Sequence, residues 1–173
     1  MQVFSPFRGL ARAADVRRAA AAALVVADPQ GEAALSVVVA ADDTLRELNR
    51  RFRGLDEATD VLSFGEGAAP TFPAAPGEVP SLGEVVVSYP LAARQAGEHN
   101  VGVEEEVALL VVHGTLHLLG YDHAEPDEEA EMKALEVKAL AACRFEVARA
   151  GSAGGGGAAG LVEKAHGRRG TTQ

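Results

Sequence analysis

The 173-residue chain has no tryptophan, a single cysteine, two methionines and only 5% aromatic residues. With Cys143 alone, no intramolecular disulfide can form, which fits a reducing, cytoplasmic setting. Cys143 falls in an apolar-looking helical stretch and reads as buried filler. No apolar run approaches the roughly 18 residues of a membrane span. Residues 17–27 superficially resemble a secretory signal, two arginines followed by an alanine-rich run. That run is short, begins well inside the chain and follows Asp15, so it reads better as an amphipathic helix. Basic residues are outnumbered 25 to 16, for a net charge of −9, which excludes a uniformly basic surface. What remains is ordinary for a globular protein, with 47% hydrophobic and 24% charged residues. The length suits one domain over 1–150, followed by a Gly/Ala-rich segment, 151–173, that reads as a disordered tail.

Three of the five histidines stand within one short stretch, His113-Gly114-Thr115-Leu116-His117-Leu118-Leu119-Gly120-Tyr121-Asp122-His123. His113 and His117 are four apart, which puts both imidazoles on one face of a helix. Gly120 suits a left-handed turn that ends the helix and returns His123 toward the other two. Three neutral imidazoles converging on one point suit a borderline divalent metal, Zn2+ first, and leave a coordination position open as catalysis requires. Zinc held by neutral ligands lowers the pKa of bound water to roughly 7, so hydrolysis is the reaction class to expect. His99 and His166 read as surface residues rather than ligands.

The spacing matches the metzincin pattern H-E-x-x-H-x-x-G-x-x-H at every position but one: the general-base glutamate of those proteases is Gly114 here. A peptidase without its proton shuttle is a poor catalyst of a hard reaction. That departure points to another substrate.

The histidine stretch is similar to the hallmark H-G-x-L-H-L-x-G-Y-D-H of the YbeY-type endoribonucleases, a family of rRNA maturation factors. A second block, Leu48-Asn49-Arg50-Arg51-Phe52-Arg53-Gly54-Leu55-Asp56-Glu57-Ala58-Thr59-Asp60-Val61-Leu62-Ser63-Phe64, resembles the family's L-N-x-x-Y-R-x-x-D-x-P-T-D-V-L-S-F, with Phe52 for Tyr and Ala58 for Pro. Gly83-Glu84-Val85-Val86-Val87-Ser88 resembles its G-D-I-x-x-S strand, and Glu131, Met132 and Glu136 loosely follow its E-x-M-x-x-x-E helix. The resemblance spans residues 35–140. It implies a metal-dependent endoribonuclease of single-stranded RNA that matures ribosomal RNA, notably the small-subunit 3′ end, and serves ribosome quality control. His113, His117 and His123 would be the metal ligands and Arg53 a phosphate contact. The small ribosomal subunit is the implied partner; neither DNA nor a membrane is expected.

The net charge sits awkwardly with RNA, but local charge matters more than the total. Arg46, Arg50, Arg51 and Arg53 cluster, as do Arg8, Arg12, Arg17 and Arg18, while acid concentrates at 104–106 and from Asp122 to Glu136. A basic groove on an acidic body is compatible with this polarity. The acids at 127–129 read as the first turn of a helix rather than as metal ligands.

Patterning predicts helices over 10–26, from Asp42 or Asp43 to Phe52, from Val103 to Leu119 and from Pro126 to Val147. Strands are predicted over 35–41, 60–64 and 84–87, a Pro/Gly-rich loop over 65–82, and a short helix capped by Ser88. The fold class is α+β: a small mixed sheet of about four strands against helices, with a buried central ligand helix, zincin-like by analogy. No residue presents itself as general base. Asp122 is one candidate, better read as an acceptor that orients an imidazole. Two other readings stand: a zinc metallopeptidase, and a non-catalytic ribosome-assembly factor with a structural zinc.

Overall fold

The computed structural model describes residues 2–4, 11–28, 31, 33–65 and 79–143. The tail 151–173, with His166, and Arg8 lie outside the described residues. In chain order the elements are β1 (Gln2–Phe4), α1 (Ala13–Ala27), β2 (Ala34–Ala40), α2 (Asp42–Arg53), β3 (Val61–Gly65), β4 (Ser81–Ser88), α3 (Tyr89–His99), α4 (Val103–Leu118) and α5 (Pro126–Ala142). The architecture is mixed α+β, a small sheet with five helices.

The strands are ordered β1-β2-β4-β3. β2 is parallel to β1 and to β4, whereas β3 joins β4 antiparallel, Val61 opposite Val87 and Gly65 opposite Gly83. Alternation along β2 sends Leu35, Val37 and Val39 to one face. There they join Val85 and Val87 of β4, alanines of α1 and the apolar residues of α4 in the main core. The opposite face carries Val86, Val38 and Phe64 beneath Leu45 and Leu48 of α2, in a smaller cluster. α4 is therefore enclosed by the sheet, α1, α3 and α5, and every residue from Glu106 to His117 is buried.

Boundaries follow local chemistry. α2 starts with Asp42 and Asp43 in its first turn, where acid favours the helix dipole, and the cap position is Ala41 rather than either aspartate. Gly54 closes it at φ 73°. Ser88 Oγ accepts from Leu91 N–H, with Pro90 in the first turn of α3. α5 opens on a capping box in which Glu125 and Glu128 exchange bonds with each other's backbone N–H, and residues 127–129 fill its first turn. β4 begins at Ser81, three residues before the predicted strand, because pairing with β2 and β3 extends it. Cys143 is buried, as its apolar surroundings indicated.

His99 is not a surface histidine. It ends α3 half-buried, with Nδ1 3.3 Å from Glu106 Oε2. Burial, with Asp60 and Glu105 close by, pushes the Glu106 carboxyl up to about 7 from 4.5. The folded state therefore holds a proton there that the unfolded chain releases above pH 4.5. Stability declines as pH rises from 4.5 to about 7 and stays lowered beyond. Glu106→Gln removes that penalty. It should raise stability by on the order of 1–3 kcal/mol above pH 7 and by little below pH 4.5, read from denaturant melts at both pH values.

Candidate metal centre

α4 carries two of the three histidines on its inner end. Its C-terminus is a Schellman turn: Gly120 N–H donates to the His117 carbonyl (3.0 Å) and Tyr121 N–H to that of Leu116 (3.1 Å), with Gly120 at φ 93°. The left-handed residue the sequence called for is in place. The reversal delivers two groups to the site. The Tyr121 carbonyl lies 3.0 Å from His117 Nδ1, and the His123 ring returns to 5.4 Å and 5.1 Å from those of His113 and His117, centroid to centroid. One ligand atom from each of the three histidines lies within 4.8 Å of the others. His113 and His117 are buried and His123 is half-exposed, so solvent reaches the cluster from the His123 side.

For neutral imidazoles, the partners at Nδ1 fix which nitrogens face inward. His113 Nδ1 is 2.8 Å from Glu136 Oε1, and His117 Nδ1 faces a carbonyl. Both partners are acceptors, so each Nδ1 carries the proton and each Nε2 keeps its lone pair. Those two Nε2 atoms are 3.1 Å apart. Two buried lone pairs that close repel unless a proton or a metal ion lies between them. Tetrahedral nitrogen ligands 2.0–2.1 Å from a metal are about 3.3 Å from one another, so the donor set fits a divalent ion. Burial, together with His113 and His123, pushes the His117 imidazole down to about 4, which keeps it neutral and able to ligate near pH 7.

Among the described residues, Asp122 Oδ1 accepts from the His123 backbone N–H rather than from an imidazole. The orienting carboxylate is Glu136, buried on α5, 23 residues beyond His113. Its signal in the sequence was the loose E-x-M-x-x-x-E likeness, obscured by the many acids of that helix. Glu136→Ala should weaken metal binding by roughly 10–100-fold, measured by competition with a chromophoric chelator. Glu136→Gln should lose less, because its amide oxygen still accepts.

Gly114 is held against the sheet. A Cβ there would sit 2.7 Å from Val85 Cγ1 and 2.9 Å from Ser63 Oγ. Ser63 Oγ donates to the Gly114 carbonyl (2.9 Å), locking β3 to α4 beside His113. Arg53, half-buried, is the last residue of α2, next to Phe52, whose ring meets Phe64 of β3 edge-on at 5.1 Å. The arginine cluster is partly spent on local pairs, Arg46 with Asp56 and Arg50 with Glu47, each 2.8 Å. Arg12 pairs with Asp15 in the N-terminal cluster.

Two imidazoles on a buried helix, each oriented from behind, with a third brought back by the turn and one side open, make the arrangement metallohydrolases use. Comparison with known proteins specifies which. The family described as Endoribonuclease YbeY matches residues 10–144. Proteins named Endoribonuclease YbeY from Dehalococcoides mccartyi and Moorella thermoacetica are 44% and 47% identical to this chain, over 74% and 73% of it and 85% and 81% of their own lengths. The solution structure of a Thermotoga maritima protein superposes with a TM-score of 0.53 at 25% identity, over 82% of this chain and 90% of that one. The chain belongs to the YbeY endoribonuclease family.

Proposed function

We propose that this protein is a metal-dependent endoribonuclease that cuts single-stranded RNA in the maturation of ribosomal RNA, notably at the small-subunit 3′ end. In this reading His113, His117 and His123 hold one zinc ion, Arg53 contacts phosphate, and the small ribosomal subunit presents the substrate in the cytoplasm. Residues 1–150 form the one catalytic domain, zincin-like by analogy, and 151–173 its tail. The observation that carries the reading is the 3.1 Å approach of the His113 and His117 Nε2 atoms, each ring held at Nδ1 from behind.

A divalent metal so held supplies a Lewis acid for a phosphoryl oxygen and makes water a stronger acid. The chain supplies the rest. Glu136 and the Tyr121 carbonyl hold two imidazoles in the ligating tautomer. The planar fork of Arg53 pairs with phosphate oxygens in two bonds and stabilises the charge that builds on them during cleavage. The peptidase alternative is disfavoured by packing as well as by sequence, since the wall of Val85 and Ser63 leaves no room for a glutamate at position 114.

The test is incubation of the purified protein with a single-stranded small-subunit 3′-end fragment, with and without chelator, beside Arg53→Ala. Cleavage lost with chelator is expected, and Arg53→Ala should lower kcat by roughly 100-fold or more with the metal retained. Undiminished cleavage by that variant would remove Arg53 from the reaction. Absence of cleavage on both naked RNA and ribosomal subunits, with zinc bound, would favour a structural zinc.

A further inference from the structure

Among the described residues, few large apolar side chains are exposed, and two of them, Phe52 (40%) and Leu55 (43%), stand at the end of α2. Phe52 is not loose. Its ring is braced edge-on by Phe64, and the Arg51 guanidinium stands over it, 5.2 Å from the centroid. An aromatic ring held rigid, left open to solvent and flanked by arginines is costly to leave in water and unhelpful to the core, which α2 completes through Leu45 instead. It is the composition with which proteins hold unpaired nucleic acid, bases on the rings and arginine on the backbone. The surrounding charges agree. Arg51 and Arg53 bracket Phe52 in sequence, and Arg46 and Arg50 stand on the same helix.

The place in the fold agrees too. Phe64 and Ser63 are consecutive residues of β3, which lies at one edge of the sheet, and they point to opposite faces. Ser63 reaches the carbonyl of Gly114, beside the ligand His113; Phe64 reaches Phe52. The metal centre and the aromatic platform thus lie on the two sides of one edge strand. One extended strand passing round that edge would meet both.

We infer that Phe52, flanked by Arg51 and braced by Phe64, is a stacking platform for an unpaired base of the RNA strand, a few nucleotides from the bond that is cut. Phe52 is a positioning residue: it touches substrate away from the reacting atoms and sets affinity and register. The inference rests on the ribonuclease reading for the identity of the strand, and its test does not require cleavage.

The chain has no tryptophan, so Phe52→Trp creates a single fluorophore at the platform. In the full-length variant, its emission should be quenched saturably by a short 2′-O-methyl oligoadenylate, which resists cleavage. An abasic oligonucleotide of equal length and charge should quench it little. Equal quenching by the abasic strand would assign the contact to arginine charge alone and overturn the platform. No quenching by either would overturn it too and leave the patch to a protein partner. With cleavable RNA, Phe52→Ala and Phe52→Leu should each raise KM by roughly 5- to 100-fold with kcat within about twofold, while Phe52→Tyr stays near wild type. Full activity of Phe52→Leu would show that apolar area suffices and would count against stacking. Quenching without cleavage by the wild type would sustain the platform and sink the ribonuclease reading; cleavage without quenching or a KM effect would do the reverse.

Discussion

Replacing His117 with alanine should abolish stable metal binding and reduce RNA cleavage by roughly 1,000-fold or more, well beyond the 10–100-fold attached to an orienting group such as Glu136. The variant loses one of two buried Nε2 donors, and the remaining pair, His113 and half-exposed His123, is too few for a tetrahedral site. It also relieves the lone-pair repulsion between His113 and His117, so the metal-free variant should stay folded, with a cavity cost of about 2–4 kcal/mol. Metal content by atomic absorption, a thermal melt and a cleavage assay on the same preparation separate the possibilities. A folded, metal-free, inactive variant is the expected result. Unfolding on loss of the metal would mean that the ion staples α4 to the 121–123 segment for stability rather than for chemistry.

Gly114→Ala should destabilise the protein by about 1–3 kcal/mol, the opposite of what helix propensity predicts. In an exposed helix interior the same change gains about 1 kcal/mol. Here the new methyl would meet Val85 Cγ1 at 2.7 Å, Ser63 Oγ at 2.9 Å and Val61 Cγ2 at 3.1 Å, all in side chains packed between α4 and the sheet. Yielding means pushing α4 away from β3, which stretches the Ser63–Gly114 bond and moves His113 with it. Activity should therefore fall along with the denaturation midpoint. Gly114→Glu, which would complete the protease pattern on paper, should prevent folding altogether. A stable Gly114→Glu protein that cleaves peptides would reverse both this packing account and the choice of substrate.

The core of the site was legible because its signals are local. His113 and His117 are one helical turn apart, and a glycine seven residues after His113 ends the helix, so convergence with His123 follows from helix geometry and one left-handed residue. The elements were equally plain where patterning was strong: β2, α2 and α4 fall within one or two residues of expectation, and Ser88 caps α3. Non-local features were not. β1 is three residues long and exists only by pairing with Ser36–Val38 of β2, so no periodicity announces it. His99 reads as a surface residue until Glu106, seven positions on, is seen to pack against it.

The same division holds for function. The sequence by itself determined the histidine cluster, because three imidazoles at offsets of four and ten need only a helix and a turn to meet. It also determined the departure from the proteases, because Gly114 carries no acid. Only the tertiary structure decided what stands behind the ligands. Glu136 reaches His113 across two helices, and a bond between residues 23 apart depends on how α4 and α5 pack, which no spacing rule encodes. It likewise decided why position 114 is glycine, through the approach of two strands to a helix, and what lies across the edge strand from the metal centre. Helix and turn geometry act within a few residues and are written in spacing. Packing acts between elements, where shape and distance decide.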